Sequence, residues 1–126
     1  MKLPPDTYIL DIDGTLVEYD FDVFTGKKDM KVLPGVLEKL KEWKEQGSQI
    51  VLVTGRGEKS SSAPREVTEA QLKKAGIPYD HLVIGVGGGR RILVNDTKPD
   101  GTVTAIAYSV DRNSGLNGVN PQVVCE

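Results

Sequence analysis

Apolar residues fall in short clusters separated by polar and glycine-rich stretches, and the spacing inside each cluster predicts its element. Thr7-Tyr8-Ile9-Leu10 is a β-prone run that stops at acidic residues and glycine, as a buried strand ending in a loop does. Val36, Leu37, Leu40 and Trp43 share one helical stripe, with Pro34 near the first turn and Gly47 just past the end, so a surface helix over a sheet is expected. Gln49 to Val53 reads as a second strand, again ending in polar and glycine residues, Thr54-Gly55-Arg56-Gly57. Residues 57–64 are rich in Gly, Ser and Pro, Glu66 to Ala75 form an expected second helix closed by Gly76, and His81 to Ile84 a third strand.

The glycine-rich segment Gly85 to Gly89 is too short for a crossover helix and leads to an expected fourth strand, Arg91 to Val94, closed by Asn95 and Asp96. Val103 to Val110 alternates and predicts a last strand, and residues 111–126 read as a polar tail. Residues 17–31 follow neither a 2.0 nor a 3.6 period and read as a long loop or small hairpin, a kind of segment that often carries function.

Alternating strands and helices imply an α/β fold: a Rossmann-like open, mostly parallel sheet with helices on both faces and a ligand site beyond the carboxyl ends of the strands. On that frame Asp11, Asp13, Thr54 and Asp96 share one rim although they are distant in sequence. The 126 residues suit a single domain, 1–126.

Composition narrows the function. Sixteen Lys and Arg against eighteen Asp and Glu leave a net charge of −2, so no excess of positive charge is available to grip a nucleic-acid backbone. Hydrophobic residues at 38% and charged residues at 27% describe a soluble globular chain, and no apolar run is long enough for a membrane span. The single cysteine, Cys125, excludes an intrachain disulfide and a Cys-rich zinc site, and the first residues lack the apolar stretch of a secretory signal. A cytoplasmic location is therefore expected.

Three carboxylates and a hydroxyl on one rim suit a hard cation and an oxyanion together, because Mg²⁺ prefers oxygen ligands and keeps room for a substrate oxygen. A phosphate ester is the natural substrate for such a rim. In Asp11-Ile12-Asp13 the intervening residue lets two carboxylates leave the strand end in related directions, one to attack phosphorus and one to exchange a proton, and Gly14 permits the turn that exposes both.

Leu10-Asp11-Ile12-Asp13-Gly14-Thr15-Leu16 resembles the first motif of the haloacid dehalogenase superfamily, hhhDxDGT[LV], at every position. Val51-Leu52-Val53-Thr54-Gly55-Arg56 resembles its second motif, and Leu93-Val94-Asn95-Asp96 with Asp100 its acidic fourth motif. The resemblance implies a phosphatase acting on a phosphomonoester. It makes Asp11 the nucleophile that becomes an aspartyl phosphate and Asp13 the general acid and base. Mg²⁺ would be held by the Asp11 and Asp96 carboxylates and the backbone carbonyl of Asp13, with Asp100 a water-mediated ligand. Thr54, Gly55 and Arg56 would bind phosphoryl oxygens, assisted by Arg90. The family's third-motif lysine has no counterpart in Gly85 to Gly89, which leaves Arg90, Arg91 or Lys98 to supply that charge, Arg91 being slightly favoured over Lys98.

The intervals between the motifs leave no room for the cap domain of larger members, so a capless site is expected, covered by a large substrate, a neighbouring copy in a homo-oligomer, or the 17–31 loop. Sugar phosphates and phosphorylated macromolecule ends both fit such an open site, and similarity to small capless members favours a sugar phosphate without identifying one. Tyr19, Phe21 and Phe24 follow the first motif where the family places a mobile flap, and are candidate substrate contacts.

Other patterns fail on register. An EF-hand loop starting at Asp11 needs glycine and glutamate where Leu16 and Asp22 stand, and a dinucleotide GxGxxG starting at Gly85 needs glycine where Arg90 stands. Residues 55–60 miss the Walker spacing, Asn95-Asp96-Thr97 is an accidental glycosylation match, and His81 and Cys125 read as packing and tail residues. Two readings compete with the enzyme: a phospho-aspartate signalling module akin to a receiver domain, whose residue order differs, and a catalytically decayed member that only binds.

Overall fold

The computed structural model describes residues 3–121. In chain order the elements are β1 (Thr7–Leu10), α1 (Phe21–Phe24), α2 (Val36–Glu45), β2 (Gln49–Val53), α3 (Arg65–Ala75) and β3 (His81–Val83). β1, β2 and β3 form a parallel sheet in that order, with Leu10 opposite Leu52 and Leu52 opposite Leu82. α2 connects β1 to β2 and α3 connects β2 to β3, the crossover that parallel strands require.

The strands alternate, and their buried side chains make one side of the core. Tyr8, Leu10, Ile50, Leu52 and Leu82 pack with Val36, Leu40 and Trp43 of α2 and Leu72 of α3. Each such side chain contributes about 1.5 to 3 kcal/mol by leaving water. Tyr8 stacks flat on Trp43, with ring centroids 3.7 Å apart, and burial together with the charges of Asp6 and Glu42 pushes its phenol up to about 12. α2 starts after Gly35 in the left-handed region, and α3 starts after Pro64 and ends at Gly76, the closing glycine that its sequence predicts.

The open parallel sheet agrees with the sequence pattern, whereas the helix cover differs from it. Both crossover helices share the core with the same sheet face, and the opposite face leaves Ile9 52% and Val83 44% exposed. Two successive crossovers that step the same way across a sheet with the same hand deliver their helices to the same side.

The expected fourth and fifth strands are absent. Residues 86–112 contain no strand, and Ile92, Val94 and Val103 are exposed. β3 offers a ladder edge only three residues long. Beyond it, Gly85 and Val86 bond back to Arg56 and Thr54, and the Arg91 side chain donates to the Gly87 and Gly89 carbonyls. The glycine-rich backbone therefore turns on itself instead of continuing beside β3. Residues 95–104 double back through a turn closed by Lys98 N–H to Thr102 O at 2.9 Å.

Residues 111–119 are not a polar tail. Leu116 is 1% and Val119 6% exposed, both within the core, and Gly115 (φ +81) passes so close to Pro34 that a side-chain carbon there would meet its carbonyl oxygen at 2.3 Å. Two apolar residues among Asn, Gly and Ser carry too weak a period to be read as core. Leu116→Ala is expected to lower the unfolding free energy by about 2 to 4 kcal/mol, read by urea denaturation; a solvated tail would give a change near zero. Residues 122–126, with Cys125, lie outside the described residues.

Candidate functional site

Asp11 to Thr15 leave β1 in a tight turn held from beneath. Ile12, Leu16 and Val17 are wholly buried, and the Ile12 carbonyl accepts N–H bonds from Thr15, Leu16 and Val17. Gly14 (φ +87) donates to Val17 O at 2.8 Å in a conformation that a side chain would strain. The apolar residue between the two aspartates thus anchors the loop, and its neighbours are presented at the carboxyl end of β1.

Asp11 is exposed on one side, yet the atoms crowding its carboxyl raise its pKa above the ordinary 3.8. The Ile12 N–H opposes that rise, the Asp13 charge adds to it, and the Arg91 charge and the Thr15 hydroxyl lower it again. Arg91 is thus the third-motif candidate whose charge acts on Asp11. Arg90 is exposed, and Lys98 lies in the turn of the 95–104 segment.

Asp13 points the other way, into the protein. Its two carboxylate oxygens accept from Arg56 Nε at 2.8 Å and Nη2 at 2.9 Å, and the side chain is 7% exposed. Arg56 itself is fully buried. Its remaining donors reach Val23 O at 3.2 Å, Thr68 Oγ1 at 3.2 Å and Gln71 Oε1 at 2.5 Å. The fork is completely used, as a buried guanidinium requires. Gln71 extends the network by donating to Val23 O and Lys28 O, and the Arg56 guanidinium lies 5.8 Å from the centre of the Phe24 ring.

The geometry gives Arg56 a different role from the one its sequence position suggests. It does not face a phosphate; it fixes the direction of Asp13 and joins the Asp11–Thr15 turn to α1 and α3. Thr68 and Gln71 were missed as site residues. The available signal was two polar side chains on the buried stripe of α3, beside Leu72.

Thr54 stands past β2, next to β1 in the sheet, and is 1% exposed. Its hydroxyl accepts the Arg56 N–H at 3.1 Å, and its backbone bonds to Val83 O and Val86 N–H. Gly55 and the Arg56 backbone form a turn stitched to the segment after β3. Asp100 accepts from the Thr102 N–H and hydroxyl, which hold its carboxyl below the usual range. The Thr104 hydroxyl donates to the backbone carbonyl of Asp96. Among the described residues no three His, Cys, Asp or Glu side chains gather into a metal site. The strand expected to carry Asp96 to the rim is not formed.

The family model for the HAD superfamily, subfamily IIIB (acid phosphatase), matches residues 3–108. The chain belongs to this superfamily. HAD proteins generally use Mg²⁺, and among the described residues no cluster of three His, Cys, Asp or Glu side chains is present to hold one. A crystallised target protein from Vibrio cholerae shares the fold at a TM-score of 0.51 and 23% identity, with 75% of this chain and 85% of that one covered. A chain of the Pnkp1/Rnl/Hen1 complex matches at 30% identity and a TM-score of 0.51, over 71% of this chain but only 31% of its own length. No curated protein matches the chain. Among the described residues, no helix of this HAD chain is long and apolar enough to cross a membrane.

Proposed function

We propose that this chain is a phosphatase that hydrolyses a phosphomonoester through attack by Asp11. The observation that carries the proposal is the Asp11–Thr15 turn. One carboxylate is open to a substrate, the other is held inward by a buried arginine, and the positive charge of Arg91 acts on the open one. Asp11 attacks phosphorus and expels the alcohol, forming an aspartyl phosphate that water then hydrolyses. Asp13, with both oxygens held inward by Arg56, braces the Asp11–Thr15 turn rather than acting as general acid and base, and the leaving alcohol takes its proton from solvent water. Backbone N–H groups around Thr54 and Gly55, with Arg91, stabilise the transferred phosphoryl oxygens. A sugar phosphate is the proposed substrate class, and a reducing, cytoplasmic setting fits a chain with one cysteine.

Phosphate release from an aryl phosphate and a panel of sugar phosphates, in buffer containing Mg²⁺, tests the proposal against Asp11→Asn. Turnover that needs Asp11 supports it, and turnover that survives the substitution overturns the nucleophile assignment. A folded wild-type protein that turns over nothing in the panel favours the decayed or signalling alternatives.

The acid side of the kcat profile gives an independent check. The nucleophile must be ionised, and its pKa is raised in the folded protein, so activity is expected to fall as pH drops through an apparent pKa above 3.8. An acid limb below that value would show that the carboxyl doing the chemistry is not the crowded one.

A further inference from the structure

Residues 111–119 lie past the stretch matched by the family model and fold back over the Asp11–Thr15 turn. The Asn113 N–H donates to Gly14 O at 2.8 Å, and the Asn113 Oδ1 accepts the Tyr19 N–H at 2.8 Å. Leu116 and Val119 pin the segment into the core. This clasp places Arg112 on the catalytic loop. Its Cγ is 3.3 Å from the point where a Gly14 side chain would begin, and its guanidinium carbon lies 4.6 Å from the Tyr19 ring centroid.

The cations nearby are otherwise committed. Arg56 spends all its donors on Asp13, Val23, Thr68 and Gln71, and Arg91 donates to glycine carbonyls while its charge acts on Asp11. Arg112 is exposed, and among the described residues no carboxylate pairs with it. A guanidinium held over a tyrosine ring by cation–π attraction keeps its N–H donors for an oxyanion. Glycine at position 14 keeps open the space along which the arginine stem lies.

We infer that Arg112, held over Tyr19, is a second anion-binding point on the loop that carries the reacting carboxylate, and that the preferred substrate is a phosphomonoester whose leaving group carries a further phosphate or carboxylate. This inference rests on the phosphatase reading of the same loop and goes beyond it by naming the leaving group. A planar fork that binds such an anion in two hydrogen bonds discriminates against the substrate lacking it, because the cation is then left with water alone.

The test compares a hexose bisphosphate with the matching hexose monophosphate. Binding is measured by calorimetry on the full chain carrying Asp11→Asn, with and without Arg112→Gln, and kcat/KM is measured for both substrates with Asp11 intact. With Arg112 present the bisphosphate is expected to be favoured about tenfold, and Arg112→Gln to bring the ratio close to unity. Arg112→Lys, which keeps the charge without the fork, is expected to restore part of the preference. Equal affinities with Arg112 present, or a preference that survives Arg112→Gln, overturn the inference. An Arg112-dependent binding preference without turnover upholds the anion point and removes the phosphatase reading, whereas turnover without such a preference does the reverse. Because Arg112 is exposed, its substitution leaves the core packing intact.

Discussion

Arg56→Gln is expected to lower the unfolding free energy by about 3 to 5 kcal/mol, a large share of the stability of a domain this size. The cost comes from what the substitution leaves behind. The Asp13 carboxyl, 7% exposed, loses both of its hydrogen-bond donors, while Thr68, Gln71 and the Val23 carbonyl lose a partner each. Arg56→Lys retains the charge but cannot serve a bidentate carboxylate and three further acceptors from one ammonium group, so it should recover only part of the loss. Urea denaturation of the wild type and both variants checks this. A loss below about 1 kcal/mol for Arg56→Gln would mean that the network is replaced by water at little cost. In the Asp13→Ala background the cost of removing Arg56 should differ clearly from its cost alone, because residues in one network do not act additively.

Asp11→Asn is expected to reduce turnover by about a thousandfold or more, since an amide cannot take the phosphoryl group at neutral pH. The same substitution should make the protein more stable at neutral pH. A carboxyl whose pKa is raised in the folded state binds protons better there than in the unfolded chain, so its charge opposes folding at neutral pH. That opposition fades as pH falls through the raised value toward 3.8. The gain in Tm should therefore be present at pH 7 and shrink in acid. Asp11 is open to solvent on one side, so screening keeps the gain small, and its sign is the informative quantity. Lost turnover with unchanged or lowered Tm would mean that the carboxylate is not crowded as described, whereas retained turnover would remove Asp11 from the chemistry.

The two variants separate two duties carried by adjacent aspartates. Ile12, buried between them, forces the side chains of Asp11 and Asp13 apart, so that one meets substrate and the other meets Arg56. A loss of activity in Arg56→Lys under conditions where the protein remains folded would show how much the fixed direction of Asp13 contributes to catalysis.

Much of this protein was determined by local pattern. β1 and β2 have the bounds that the apolar runs predict, α2 follows its stripe of Val36, Leu40 and Trp43, and the turn after β1 follows from Asp11-Ile12-Asp13-Gly14. In each case the side chains that define the element are also those that bury it, so period and packing agree. Tertiary structure decided the rest. Arg91 to Val94 and Val103 to Val110 have strand-like composition but pair with neither edge of the sheet, and a strand needs its neighbour before it is a strand. Arg56 reads as a phosphate ligand in sequence because it follows the second motif, and only the approach of Asp13, Thr68 and Gln71 from separate elements turns its donors inward. Residues 111–119 carry too few apolar positions to announce themselves, yet their contacts with Gly14, Tyr19 and Pro34 bring Arg112 onto the reacting loop. Local sequence sets which backbone conformations are cheap; the partner of a buried charge or an exposed edge comes from elsewhere in the chain and is settled only when the elements pack.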